Sequence, residues 1–249
     1  MPGEGQEARD PAASSAAARR LVGMRLLLVR HGQTPANVRG ELDTDVPGPG
    51  LTDLGRRQAA ALPSALADEA IGVVVVTDLV RTHETAAPLV AALGVEPLQV
   101  GELREISAGD LERRSDAEAV QAYLSAVVGW AEGDLDRRVP GGESGHEFFA
   151  RYDAGIASAV EAAQAAGHGT LAVVSHGAAI RCWAAARSTG RDEGFLRTHQ
   201  LENTGVVVVE GEPDAGWRLV DWHGDAAGGA RLGDAGRPDP TGEGVPAGR

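Results

Sequence analysis

Four short apolar runs punctuate the chain: Leu26 to Val29, Val73 to Val76, Leu171 to Val174 and Val206 to Val209. They are continuous rather than alternating, the pattern of strands covered on both faces of a sheet. Between them lie longer Ala/Leu-rich segments, about residues 53–68, 79–93, 115–131, 145–166 and 178–187, whose apolar positions recur at helical spacing. Strands alternating with helices predict an α/β domain of three layers, with helices on both faces of a mainly parallel sheet. Thr52 and Ser144 stand where helix N-caps belong, and Glu147 completes the capping-box spacing with Ser144. Pro63 falls inside the first helical pattern, which should kink or break near Leu62.

The ends read differently. Residues 1–20 are rich in Ala, Gly, Ser and Glu, and residues 223–249 are mostly Gly, Pro, Asp and Ala. Such compositions bury too little apolar surface to offset ordering entropy, so both are expected to be disordered tails around a domain at 24–222. Met24, directly before the first apolar run, could itself be the start of translation. The first segment lacks the basic start and apolar stretch of a secretory signal, and no apolar run reaches membrane-spanning length. The expected location is cytoplasmic, and a lone cysteine, Cys182, fits a reducing compartment.

Charge and composition narrow the chemistry. The 249 residues include 36 acidic and 23 basic side chains, a formal charge of −13, which disfavours nucleic acid and anionic membranes as partners. There is no lysine at all. A Walker-type phosphate loop, a lysine Schiff base and pyridoxal chemistry all need that ammonium. Arginine offers instead a planar fork for phosphate oxygens. No histidine pair has metal-ligand spacing, and Asp43-Thr44-Asp45 lacks the later ligands of a calcium loop, so neither metal nor cofactor is expected.

Ligands of open α/β sheets bind beyond the carboxyl ends of strands. Three of the apolar runs pass there into unusual residues: Arg30-His31-Gly32-Gln33-Thr34, Thr77-Asp78-Leu79-Val80-Arg81 and Ser175-His176-Gly177-Ala178. Two histidines and two arginines should therefore converge on one edge. Arg-His-Gly-x-Thr after an N-terminal strand resembles the nucleophile motif of the histidine phosphatase superfamily, the phosphoglycerate mutase-like proteins of branch 1. Asn37, Arg81 within Leu79 to Ala86, Leu103-Arg104-Glu105-Ile106 and Val174-Ser175-His176-Gly177 resemble its further motifs in family order, over about residues 24–209.

The resemblance implies a phosphomonoesterase acting on a small phosphorylated metabolite through a phosphohistidine. His31 would be the nucleophile, Arg30 and Arg81 would grip the phosphoryl oxygens, His176 would add a donor, and Glu105 would be the general acid. Thr34, Asn37, Gly177 and Gln33 would contribute to binding. His31 must attack as neutral imidazole, a state favoured by neighbouring guanidinium groups, with its other nitrogen held by an acceptor such as a loop carbonyl. Glu102 and Glu112 read as solvated carboxylates, and Arg181 as structural. Free amides at the start of the helix after His176 would favour an anion.

Two departures stand out. Where the family commonly shows Gly-x-Trp-Glu-Gly, this chain has Gly109-Asp110-Leu111-Glu112-Arg113, and Thr77 replaces a commoner serine. Residues 106–142 would form the substrate-selecting lid. A mutase returning the phosphoryl group to substrate is one rival, disfavoured because Pro35-Ala36-Asn37 lacks the tryptophan typical of mutases there. A non-catalytic phospholigand-binding module is the other, disfavoured because His31 and Glu105 are both present.

Overall fold

The computed structural model describes residues 23–192, 194–234 and 239–242. The expected N-terminal tail, 1–20, lies outside them. In chain order the elements are β1 (Met24–Arg30), α1 (Pro35–Arg39), α2 (Asp53–Ala65), β2 (Val73–Val76), α3 (Val80–Leu93), β3 (Leu98–Gln99), α4 (Ala117–Ala131), α5 (Gly145–Ala165), β4 (Thr170–Ser175), α6 (Gly177–Arg187), β5 (Ser188–Thr189), α7 (Phe195–Thr198), β6 (Val206–Glu212) and β7 (Gly216–His223).

One seven-stranded sheet runs β3-β2-β4-β1-β6-β7-β5. β3, β2, β4 and β1 are mutually parallel, while β6 pairs antiparallel with both β1 and β7. The three expected strand ends are thus neighbours, with Arg30 opposite Ser175. Successive residues of β1 divide between two cores: Leu26 and Leu28 pack with α4, α5 and α6, and Leu27 and Val29 with α2 and α3. This is the α/β/α layering that unbroken apolar strands require. β7 escaped the sequence reading because it lies near the sheet edge, largely exposed, without a continuous apolar run.

The caps form as their residues suggest. Gly55 N–H donates to Thr52 Oγ1, and Ser144 and Glu147 make a reciprocal capping box. Pro63 does not break α2 at Leu62. The helix continues to Ala65, and Leu66 N–H still donates to the Leu62 carbonyl, because a proline in the last turn deletes only one ladder bond.

Two expectations about loops and tails fail. α4, inside the supposed lid, is a core helix whose Tyr123, Val127 and Trp130 are buried. The expected disorder from 223 onward fails for the described part. His223 ends β7, Ala226 and Ala227 are buried, and the Leu232 carbonyl accepts from Gln58 Nε2. Asp239 and Thr241 are buried as well. Composition misled because much of what holds this segment is polar contact, which a count of large apolar side chains does not weigh.

Candidate active site

β1 delivers His31 to the sheet edge, and its N–H continues the strand pairing by donating to the Ser175 carbonyl at 3.0 Å. His31 Nδ1 lies 2.8 Å from the Gly32 carbonyl, so Nδ1 carries the proton and Nε2 keeps its lone pair. Burial pushes the imidazole well below its ordinary pKa, with the charges of Arg81 and Arg30 adding to the effect. The ring is therefore neutral, as nucleophilic attack requires.

His176, at the end of β4, has its ring centroid 5.3 Å from that of His31. Arg81 Nε donates to His176 Nδ1 at 3.3 Å, which places the His176 proton on Nε2, 3.1 Å from Thr77 Oγ1. Burial and then Arg81 hold this ring neutral too. Both nitrogens are thus engaged, one with Arg81 and one with Thr77. The rest of the Arg81 guanidinium faces Asp43, at 3.4 Å from its carboxylate and 3.0 Å from its carbonyl.

Glu105 sits where free helix amides were expected to await an anion. The N–H groups of Ala178 and Ala179, in the first turn of α6, donate to its carboxylate at 3.1 and 2.8 Å, and Ile106 N–H adds a bond of 2.9 Å. Burial raises the Glu105 pKa despite these amides and Arg81. Oε1 accepts two of these bonds and Oε2 one, so Oε2 has the spare lone pair on which an acid proton would ride. Arg151, from α5, donates to the carbonyls of Glu102, Arg104 and Glu105, fixing the strand of chain that carries the acid.

His31, Thr34, Asn37, Arg81 and Glu105 line one small cavity of about 10 Å³, together with Ala36, Glu41, Asp43 and Thr241. A second cavity, about 360 Å³, adjoins it through Glu105 and is lined by Thr44, Asp45, Val46, Arg104, Ser107, Glu143 and Arg151. Thr34 and Asn37 also form the capping box of α1. Arg30, His176 and Gly177 do not line the small cavity. Gln33 faces away from it, with Nε2 donating to Asp234 and Oε1 accepting from Thr52.

Several contributors escaped the sequence reading. Asn203 Nδ2 donates to the His31 carbonyl at 3.0 Å, and only the turn-forming Asn-Thr-Gly cluster marked that position. Asp43 was weighed only as a calcium ligand. Glu112 is no solvated carboxylate: Thr44 N–H and Oγ1 both donate to it at 2.7 Å. Glu102 is exposed, as expected. Arg181 is structural, donating to the carbonyls of Leu196, His199 and Thr241. Among the described residues no group of three or more His, Cys, Asp or Glu could hold a metal ion.

The sequence profile of the histidine phosphatase superfamily, branch 1, matches residues 26–225, spanning every group just described up to Asn203. The chain belongs to that superfamily. One relative, "PE-PGRS family protein PE_PGRS11" of Mycobacterium tuberculosis, is 38% identical over 82% of the chain, which spans only 37% of that protein's length. "Probable phosphoglycerate mutase GpmB" of Salmonella choleraesuis is 30% identical, with 82% of this chain and 93% of the relative covered. Among solved structures, a mycobacterial glucosyl-3-phosphoglycerate phosphatase superposes with a TM-score of 0.67 at 26% identity, covering 82% of this chain and all of the other. No helix among the described residues is long and apolar enough to cross a membrane.

Proposed function

We propose that this histidine phosphatase hydrolyses a small phosphorylated metabolite through a phosphohistidine at His31, without a metal ion. The observation that carries the reading is the buried imidazole whose Nδ1–H is fixed on the Gly32 carbonyl, leaving Nε2 facing a cavity shared with Arg81 and Glu105. The Nε2 lone pair attacks phosphorus and the ester P–O bond breaks. Glu105 Oε2 gives its proton to the departing alkoxide, and Arg81 stabilises charge on the equatorial oxygens. A water then loses a proton to the Glu105 carboxylate, its oxygen bonds phosphorus, and the P–N bond breaks to restore neutral His31.

The larger cavity beside Glu105 is on the leaving-group side. Its lining of Arg104, Ser107, Thr44, Asp45 and Glu143 suits a polar, hydroxylated leaving group. A cytoplasmic location is part of the same proposal, and the free Cys182 thiol is compatible with it.

The test is hydrolysis of aryl and sugar phosphates with and without a chelator. Undiminished turnover in chelator is expected, as is a loss on the order of 10⁴-fold or more in His31→Ala. Full activity in that variant would refute the assignment. The likeness to the probable mutase favours a second reading, phosphoryl return to substrate. Interconversion of phosphoglycerates that outpaces phosphate release would establish it instead.

A further inference from the structure

Arg30, expected to grip phosphate, is already holding an anion. Its Nη2 is paired with the Asp239 carboxylate and donates to Thr241 Oγ1 at 3.0 Å, and its Nη1 donates to the Leu201 carbonyl at 2.8 Å. Its Nε is buried without a hydrogen-bond partner. Arg30 itself is 1% exposed, so the Asp239 carboxylate reaches a guanidinium that bulk water does not.

Residues 239–242, Asp-Pro-Thr-Gly, carry turn chemistry: Asp first, proline to set φ at the second position, glycine at the fourth. Gly242 N–H closes the turn on the Asp239 carbonyl at 3.1 Å. Leu201 N–H donates to the Gly242 carbonyl at 2.8 Å, and Arg181 Nη1 donates to the Thr241 carbonyl at 3.3 Å. Two buried arginines and one backbone amide thus dock a segment that has almost no apolar surface of its own.

The place where it docks matters. Thr241 lines the small cavity with His31, Arg81 and Glu105. Its carbonyl lies 2.6 Å from where a Cβ on Gly177 would be, directly over the glycine expected to approach phosphate. With the segment in place the cavity measures about 10 Å³, room for about one water molecule. A phosphoryl group, with its several oxygens, does not fit beside it.

We propose that residues 239–242 are an internal ligand of the phosphate pocket, with the Asp239 carboxylate in the Arg30 fork, and that a phosphorylated substrate must displace them. The proposal rests on the phosphatase reading and adds regulation at the same site. The segment lies beyond the portion matched by the superfamily, which ends at residue 225. An intramolecular competitor lowers apparent affinity by the fraction of time the pocket is open.

Phosphate and vanadate binding, measured calorimetrically on the full chain and on Asp239→Asn, tests this without requiring turnover. If the pocket is open about one tenth of the time, the variant binds about tenfold more tightly. A chain ending at Asp234 should show the same gain, and keeps the test available should the point variant fold poorly. Unchanged or weaker binding in both, with the melting temperature preserved, overturns the proposal and makes Asp239 a partner that merely positions Arg30. If no form binds either anion and none releases phosphate, the phosphatase reading falls and the proposal falls with it. Normal turnover with unaltered anion affinity sinks the internal ligand alone.

Discussion

His31, Thr77 and His176 follow directly on β1, β2 and β4, whereas Asp43, Glu112, Asn203 and Thr241 reach the same cavity region from irregular segments far along the chain. The first group forms a floor whose geometry comes from the sheet. Parallel neighbours in register place their following residues side by side, so the two imidazoles meet with little help from anything else. The second group is a wall, set by hydrogen bonds that loop residues make: Asp43 with Arg81, Glu112 with Thr44, Thr241 with Arg30. A floor inherits rigidity from the core beneath it. A wall can be re-cut by small sequence changes.

The sharpest way to break the distinction is to remove the residue that joins floor to wall. Arg81 donates to His176 on one side and to Asp43 on the other, while facing the cavity. Arg81→Ala should lower kcat by about 10² to 10³-fold, the size expected for losing a donor aimed at developing charge. Asp43→Asn, which touches only the wall side, should cost less than a tenth of that factor, and the pair measured together as single and double variants shows how much of Arg81's effect runs through Asp43. An equal loss in the two single variants would mean that floor and wall act as one unit.

Glu105 stands at the seam, held by amides of α6 yet carried by a loop pinned through Arg151. Its raised pKa and the depressed pKa of His31 have opposite consequences for rate. His31 must be deprotonated, so kcat/KM falls as pH drops into the range where the imidazole binds a proton, below its ordinary value of 6.5. Glu105 must be protonated, so activity on poor leaving groups falls as pH rises through its elevated value, above 4.5. Glu105→Gln should remove that alkaline limb and cost about 10²-fold with alkyl phosphates, but little with activated aryl phosphates that leave unaided. Equal losses for both classes of leaving group would deny Glu105 the role of acid.

The same division explains how much could be read from sequence. Continuous apolar runs mark β1, β2, β4 and β6, and the switch-point rule then points to the residues after them, so the floor is legible almost entire. His176 was found but its engagement was not, since a ring's two partners depend on where Thr77 and Arg81 stand in space. Glu112 carries nothing in its local sequence to distinguish it from a solvated carboxylate; only the approach of Thr44 makes it an acceptor. The 239–242 segment was misread because composition rules weigh apolar burial. A turn docked on buried guanidinium groups needs none.

The smallest test concerns the substituted motif in the wall. Arg113 stands where the family commonly has glycine, and its φ is +64°, the left-handed region that glycine enters freely and side chains with a Cβ do not. Its backbone is fixed there by pairing, since its N–H donates to the Leu42 carbonyl at 2.7 Å and Arg114 accepts from Leu42 N–H at 2.9 Å. The side chain is exposed and can be removed without opening a cavity. Arg113→Gly relieves about 1 to 2 kcal/mol of backbone cost, offset by about 0.5 to 1 kcal/mol of added freedom in the unfolded chain. The net expectation is a gain of about 0.5 kcal/mol in denaturant unfolding, with kcat and KM unchanged within about twofold because the residue faces neither cavity. A loss of stability would show that the arginine side chain stabilises the wall through its own contacts, and the conformation at 113 would then be a consequence of those contacts instead of a cost borne by the loop.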